Sequence, residues 1–144
     1  MKKTILLVCV AFVLGSCSNG DDNFRNPYLL DINFQFLVDM SFPPYNQLNF
    51  LSSPIYINGP NYGNGGVIIM KTGVDSYRAF DASDPNHIPS DCSIMIIGDG
   101  KVNCECEGNS YYLATGQPIS EGLEYPLLEY RVVDNGNGTL TVSN

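Results

Sequence analysis

Apolar side chains at Ile32, Phe34, Phe36, Val38 and Met40 alternate with Asn33, Gln35, Leu37 and Asp39. A repeat of two puts the two sets on opposite faces of extended chain, so the spacing predicts a strand over Ile32–Met40 with one apolar face. Pro43-Pro44, within Ser41–Asn46, breaks it. Shorter runs predict further strands at Ile55–Ile57, Gly66–Lys71, Tyr77–Phe80, Ser93–Ile97, Lys101–Cys104, Ser110–Leu113, Leu128–Val133 and Thr139–Val142. Between them lie turn-forming clusters, Asn58–Gly65 and Asn135-Gly136-Asn137-Gly138 among them, where Asn-Gly tolerates the positive φ of a tight hairpin. No stretch sustains a helical period. Short strands punctuated by 14 glycines and 9 prolines imply one antiparallel all-β domain. There is no tryptophan, so the 7 phenylalanines and 9 tyrosines must supply the bulky packing.

The first residues follow another pattern. Lys2 and Lys3 precede the apolar run Ile5–Val13, too short for a permanent span, which needs about 20 residues. Leu14-Gly15-Ser16-Cys17 resembles a bacterial lipobox, which predicts a lipoprotein signal over 1–16 and an acylated Cys17. Residues 17–26 are polar and aperiodic, a tether, and 27–144 form the β domain. Asp21 and Asp22 resemble the acidic export signal of Bacteroidetes surface lipoproteins. The address implied is the bacterial cell envelope, as an outer-membrane lipoprotein held through its acyl chains. The formal net charge is -8, and of the 7 Lys and Arg the five beyond the signal form no cluster. Nucleic acid is not an expected partner, because neutralising phosphates takes grouped cations. The partner expected besides the membrane is an unidentified envelope protein or ligand.

Candidate chemistry gathers between Phe80 and Gly116. Two loops, Asp84–His87 and Cys104–Gly108, flank a hairpin turning at Asp99-Gly100. Cys104-Glu105-Cys106-Glu107-Gly108 looks like the Cys-Pro-x-His-Gly of Rieske iron–sulfur proteins, and Tyr111–Gly116 like the Phe-Asp-Leu-x-Thr-Gly that follows it. Pro126-Leu127, Tyr130–Val132 and Gly138–Val142 fit that family's closing strands. The resemblance covers Gly66 to Val142 and implies a Rieske-like multi-sheet sandwich with two loops flanking a hairpin.

In that family two thiolates hold one iron of a [2Fe–2S] cluster and two imidazoles hold the other. Here Asp84 and Asn86 stand at the first loop's Cys and His positions. In the second loop Cys104 matches its ligand and Glu107 replaces histidine. His87 is the only histidine in the chain. A centre needing two histidines is therefore not expected, nor any other cofactor. Asp84, His87, Cys104 and Glu107 offer mixed donors for zinc or iron. Their spacing is not that of a metal site, and drift of exposed loop tips toward polar residues explains them without a metal.

Cys9 lies in the signal and Cys17 carries the anchor, which leaves Cys92, Cys104 and Cys106. If Gly98-Asp99-Gly100 is a three-residue loop, opposed positions sum to 198, so Cys92 faces Cys106 and Cys104 faces Ile94. Some Rieske proteins tie their two loops with a disulfide using the middle Cys of Cys-Pro-Cys-His. The expected bond is Cys92–Cys106, with Cys104 left buried or reactive. The acidic neighbours Glu105 and Glu107 should raise the Cys104 thiol pKa and work against redox chemistry there. No catalytic residue stands out. Tyr45, Tyr56, Tyr62, Tyr111 and Tyr112 are candidates for a binding surface. The expected function is a structural or binding module that has lost its cluster. The alternatives are electron transfer through a Rieske-type or substituted metal centre, and thiol oxidoreduction through Cys104.

Overall fold

The computed structural model describes residues 26–144. The signal over 1–16, Cys17 and the rest of the tether before Asn26 lie outside the described residues. Nine strands follow in order: β1 (Gln35–Asp39), β2 (Ile55–Ile57), β3 (Val67–Gly73), β4 (Ser76–Asp81), β5 (Ile96–Gly98), β6 (Lys101–Asn103), β7 (Ser110–Tyr112), β8 (Glu129–Asp134) and β9 (Thr139–Ser143). They form a six-stranded sheet ordered β1-β9-β8-β4-β3-β2 and a three-stranded sheet ordered β5-β6-β7. Every pairing between named strands is antiparallel. The all-β reading of the sequence therefore holds.

β3 joins two layers of core. Val67 and Ile69 point into a cluster with Phe36, Val38, Leu48, Ile55, Ile57, Leu140 and Val142. Ile68 and Met70 point the other way, toward Phe80, Val102, Cys104, Tyr111 and Leu113. A strand covered on both faces reads as an unbroken apolar run, which is why Val67-Ile68-Ile69-Met70 lacks alternation. The second cluster binds the small sheet to the large one.

Three expectations need correction. The ladder of β1 begins only at Gln35, although the expected alternation buries Phe36, Val38 and Met40. Ser93–Ile97 is not a continuous strand: Asp91–Ser93 forms a 3-10 turn, held by Ser90 N–H donating to Ser93 Oγ at 2.8 Å. A serine that can bond nearby backbone competes with the ladder, and here it wins. The hairpin register is also one residue away from the expected one. Gly98 pairs with Lys101 and Ile97 with Val102, because the loop is the two-residue turn Asp99-Gly100. Both residues are left-handed, at φ 46° and 74°, as a type I′ turn demands.

Strand directions define two ends. β1, β3 and β8 finish at one end, where the segment after β1 (Met40–Ser52) meets the tops of β9 and β3: Met40 N–H donates to Gly138 O and Ser52 N–H to Lys71 O, both at 2.9 Å. At the opposite end lie the chain's entry, its last residue and the two loops. Asn26 Nδ2 donates to Pro85 O at 2.7 Å, and Asn144 Nδ2 donates to Asp31 Oδ1 at 2.6 Å.

Candidate functional site

Loop Asp84–His87 follows β4, and loop Cys104–Gly108 follows β6. Asp84 N–H donates to Ser93 O at 2.9 Å, which fixes the first loop against the 3-10 turn. In the second loop Gly108 N–H returns to Cys104 O at 2.9 Å, with Gly108 in the left-handed region at φ 71°. Cys92 and Cys106 are disulfide-bonded and so join the two sides. The expected pairing is present, reached through a different register. The β5–β6 ladder ends at Ile96–Asn103, and the 3-10 turn then carries Cys92 to Cys106.

The four positions that the resemblance aligns with cluster ligands are engaged in the protein's own contacts. Asp84 is fully buried. Its Oδ1 accepts from the Tyr111 hydroxyl at 2.5 Å and from Asn86 N–H at 2.9 Å, and its Oδ2 accepts from Asn109 Nδ2 at 2.8 Å. Asn86 donates through Nδ2 to the Tyr111 hydroxyl at 2.9 Å and to Tyr125 O at 2.7 Å. Its Oδ1 accepts from the N–H groups of Glu124 and Tyr125, each at 3.0 Å. Cys104 Sγ lies 3.7 Å from Cys92 O, and Glu107 Oε1 lies 3.5 Å from His87 Nε2. The other imidazole nitrogen, His87 Nδ1, is buried without a hydrogen-bond partner.

For Asp84 and Asn86 this overturns the expectation of a solvated loop tip, whereas Glu107 is exposed as expected. A carboxylate is costly to bury unless donors surround it, and here three do, from residues 2, 25 and 27 positions away. The network ties the first loop to β7 and to the segment around Tyr125. A second buried carboxylate, Asp81, does similar work for the large sheet: it accepts from Asn64 N–H at 2.6 Å, Ser83 N–H at 2.7 Å and the Tyr130 hydroxyl at 2.5 Å. Gly63 stands beside it at φ +66°, where a Cβ would fall 2.5 Å from the Tyr130 hydroxyl oxygen. Sequence reasoning missed Asp81, Asn109 and the Tyr125 segment. The available signal for Asp81 was a carboxylate closing an apolar strand.

Burial, first of all, raises the Cys104 thiol above its usual range, and the Asp84 side chain adds to it. The cause is therefore not the acidic side chains of Glu105 and Glu107. Burial also raises the Tyr111 hydroxyl, with the Asp84 carboxylate next in importance. A thiol so placed is a weak nucleophile. Cys104 should alkylate slowly in the folded protein and quickly once denaturant unfolds it. The Cys92→Ser/Cys106→Ser double variant should lose about 3 kcal/mol, the entropy of a 15-residue closed loop. Denaturant unfolding and timed alkylation check both, and rapid alkylation of the oxidised wild type would contradict them.

Of the five tyrosines, Tyr45 and Tyr62 pack against the first core cluster. Tyr111 is fully buried, Tyr62 stacks on Phe36 at 4.1 Å, Tyr56 donates to Gly65 O at 2.7 Å, and Tyr112 is exposed on the small sheet. Among the described residues no three His, Cys, Asp or Glu side chains are grouped to hold a metal ion. A [2Fe–2S] centre of the Rieske kind does not fit these residues: one histidine is present, and the Asp84 and Asn86 side chains are already spent on internal partners.

No protein-family model and no curated protein matches the sequence. Similar solved structures include the complex of reduced oxygenase and oxidized ferredoxin in carbazole 1,9a-dioxygenase, at 17% identity and TM-score 0.49, covering 79% of this chain and 94% of that one. A putative NADH-dependent nitrite reductase small subunit from Mycobacterium tuberculosis gives the same identity and score over 79% and 97%. The ferredoxin of carbazole 1,9a-dioxygenase from Nocardioides aromaticivorans IC177 gives 15% and 0.48 over 77% and 96%. The domain's own architecture is the all-β one expected from the sequence: a small sheet whose hairpin is flanked by two disulfide-joined loops, beside a larger antiparallel sheet.

Proposed function

We propose that this chain is a Rieske-like domain without an iron–sulfur cluster, serving as a structural or binding module at the bacterial cell envelope. An acylated Cys17 anchors it in the outer membrane, and its partners are that membrane and an envelope protein or ligand. The observation that carries the reading is the buried Asp84 carboxylate with its three donors. Those contacts hold the two loop regions together, which in a cluster-bearing domain is work that metal ligands share. The module reading also agrees with the buried Cys104 thiol, which is poorly placed for exchange. A ligand that binds only the native state raises stability in proportion to its occupancy. Unfolding free energy should therefore be the same with a strong chelator and after anaerobic incubation with iron and sulfide. A metal-dependent gain would contradict the proposal.

A further inference from the structure

Four Asn-Gly pairs lie among the described residues: Asn58-Gly59, Asn64-Gly65, Asn135-Gly136 and Asn137-Gly138. Glycine has no side chain to shield its main-chain nitrogen, which can close on the preceding asparagine Cγ and expel ammonia. Three groups must be free for this: the glycine N–H, the asparagine carbonyl and the departing amide. A hydrogen bond to any of them has to break first. At Asn64 every group is held. Nδ2 donates to Asp81 Oδ2 at 2.9 Å and Leu30 O at 3.1 Å, and Oδ1 accepts from Leu30 N–H at 2.8 Å. Gly65 N–H donates to Asp81 Oδ1 at 3.2 Å. Asn135 Nδ2 donates to Thr139 Oγ1 at 2.9 Å and Thr141 Oγ1 at 3.1 Å, and Gly136 N–H donates to Asp134 Oδ1 at 2.9 Å. Asn137 is held at one point, where Oδ1 accepts from Thr139 N–H at 3.2 Å and the Thr139 hydroxyl at 2.7 Å. Asn58 differs from all three. Its side chain is exposed, and neither its amide nor the Gly59 N–H has a hydrogen-bond partner among the described residues. Gly59 is kept for another reason, because a Cβ there would run into the Tyr62 ring that stacks on Phe36.

We infer that Asn58-Gly59 is a self-modification site, at which the native protein converts an uncharged amide to a carboxylate with water as the only co-reactant. The Gly59 nitrogen bonds to Asn58 Cγ, the Cγ–Nδ2 bond breaks, and the Gly59 proton leaves with the amide as ammonia. Water then opens the cyclic imide at either carbonyl. One opening leaves aspartate at position 58. The other leaves isoaspartate, with the main chain rerouted through the side-chain carbonyl. Nothing is oxidised or reduced. Either product places a negative charge directly after β2, whose last ladder pair is Ile57 with Val67. The isoaspartate also inserts a methylene into the main chain between buried Ile57 and the Tyr62 ring.

The test incubates the full chain, natively folded, in mildly alkaline buffer made with heavy-oxygen water, and maps its peptides by mass spectrometry. The Asn58 peptide should gain the mass of an amide-to-acid exchange carrying one heavy oxygen. The Asn137 peptide should follow more slowly. Asn64 and Asn135 should react at least about tenfold more slowly than Asn58, because several hydrogen bonds must break first. A parallel incubation in denaturant frees all four pairs, and there the gap should close. N58S should abolish the gain at its own peptide and leave the other three as they were. An Asn58 that stays intact in the native protein while reacting in denaturant would overturn the site. So would Asn64 or Asn135 keeping pace with Asn58 in the folded state. An order of rates unchanged by unfolding would overturn it as well, since hydrogen bonding in the fold would then not set that order.

Discussion

Asp84→Ala is expected to destabilise the domain by about 3–5 kcal/mol, a large share of a typical domain's stability. The reason lies in what remains after the carboxylate is gone. The Tyr111 hydroxyl, Asn109 Nδ2 and Asn86 N–H all donate to Asp84, and alanine leaves the first without this acceptor at a buried place and the other two at part-buried ones. Leaving a buried donor unpaired costs about 1–3 kcal/mol, which outweighs the modest net gain of an ordinary hydrogen bond. Asp84→Asn should cost less, about 1–2 kcal/mol, because one oxygen still accepts while the new amide group confronts the donor of Asn109. Asp84→Ala and Tyr111→Phe should be non-additive, since they share one contact. Urea unfolding of the four proteins checks the order. A loop-tip carboxylate in water would instead give changes within about 0.5 kcal/mol.

Stability should stay level from neutral pH to about pH 9 and fall steeply above about pH 10. Three buried groups are responsible. Cys104, Tyr111 and Tyr130 are 1%, 0% and 3% exposed, and burial is the largest cause raising each above its ordinary value of 9.0 for the thiol and 10.0 for the phenols. For the two tyrosines the carboxylates of Asp84 and Asp81 add to the effect. The unfolded chain loses these protons first as pH rises, so it binds fewer protons than the native state. The stabilising contribution is complete below the unfolded values and disappears as pH climbs toward the folded ones. Each group contributes a slope of about 1.4 kcal/mol per pH unit. Unfolding monitored from pH 7 upward, with phenolate absorbance, should show two tyrosines ionising only as the domain unfolds. Ionisation of all tyrosines near pH 10 with the fold intact would contradict this.

How far the sequence reached depended on the range over which each feature is determined. Alternation and apolar runs are local, and they predict eight of the nine strands to within a few residues. The exception, Ser93–Ile97, failed because a single serine pair redirected the chain into a 3-10 turn. The hairpin register turned on whether Asp99 adopts a left-handed conformation, which its sequence neighbours leave open. The histidine count alone shows that two histidine ligands are not available within this chain. The partners of Asp84 were not legible, because its donors include residues 25 and 27 positions distant. Pairings of that range belong to the fold. Asp84 read as a drifted loop residue in sequence and is a buried anchor in the structure.

Iron and acid-labile sulfide per chain, with the visible spectrum, measured on protein purified without oxygen, test the central claim most directly. A colourless protein with neither element in stoichiometric amount is the predicted result. Two irons and two sulfides per chain with a Rieske-like spectrum would contradict it, and would require ligands from outside this chain's single histidine.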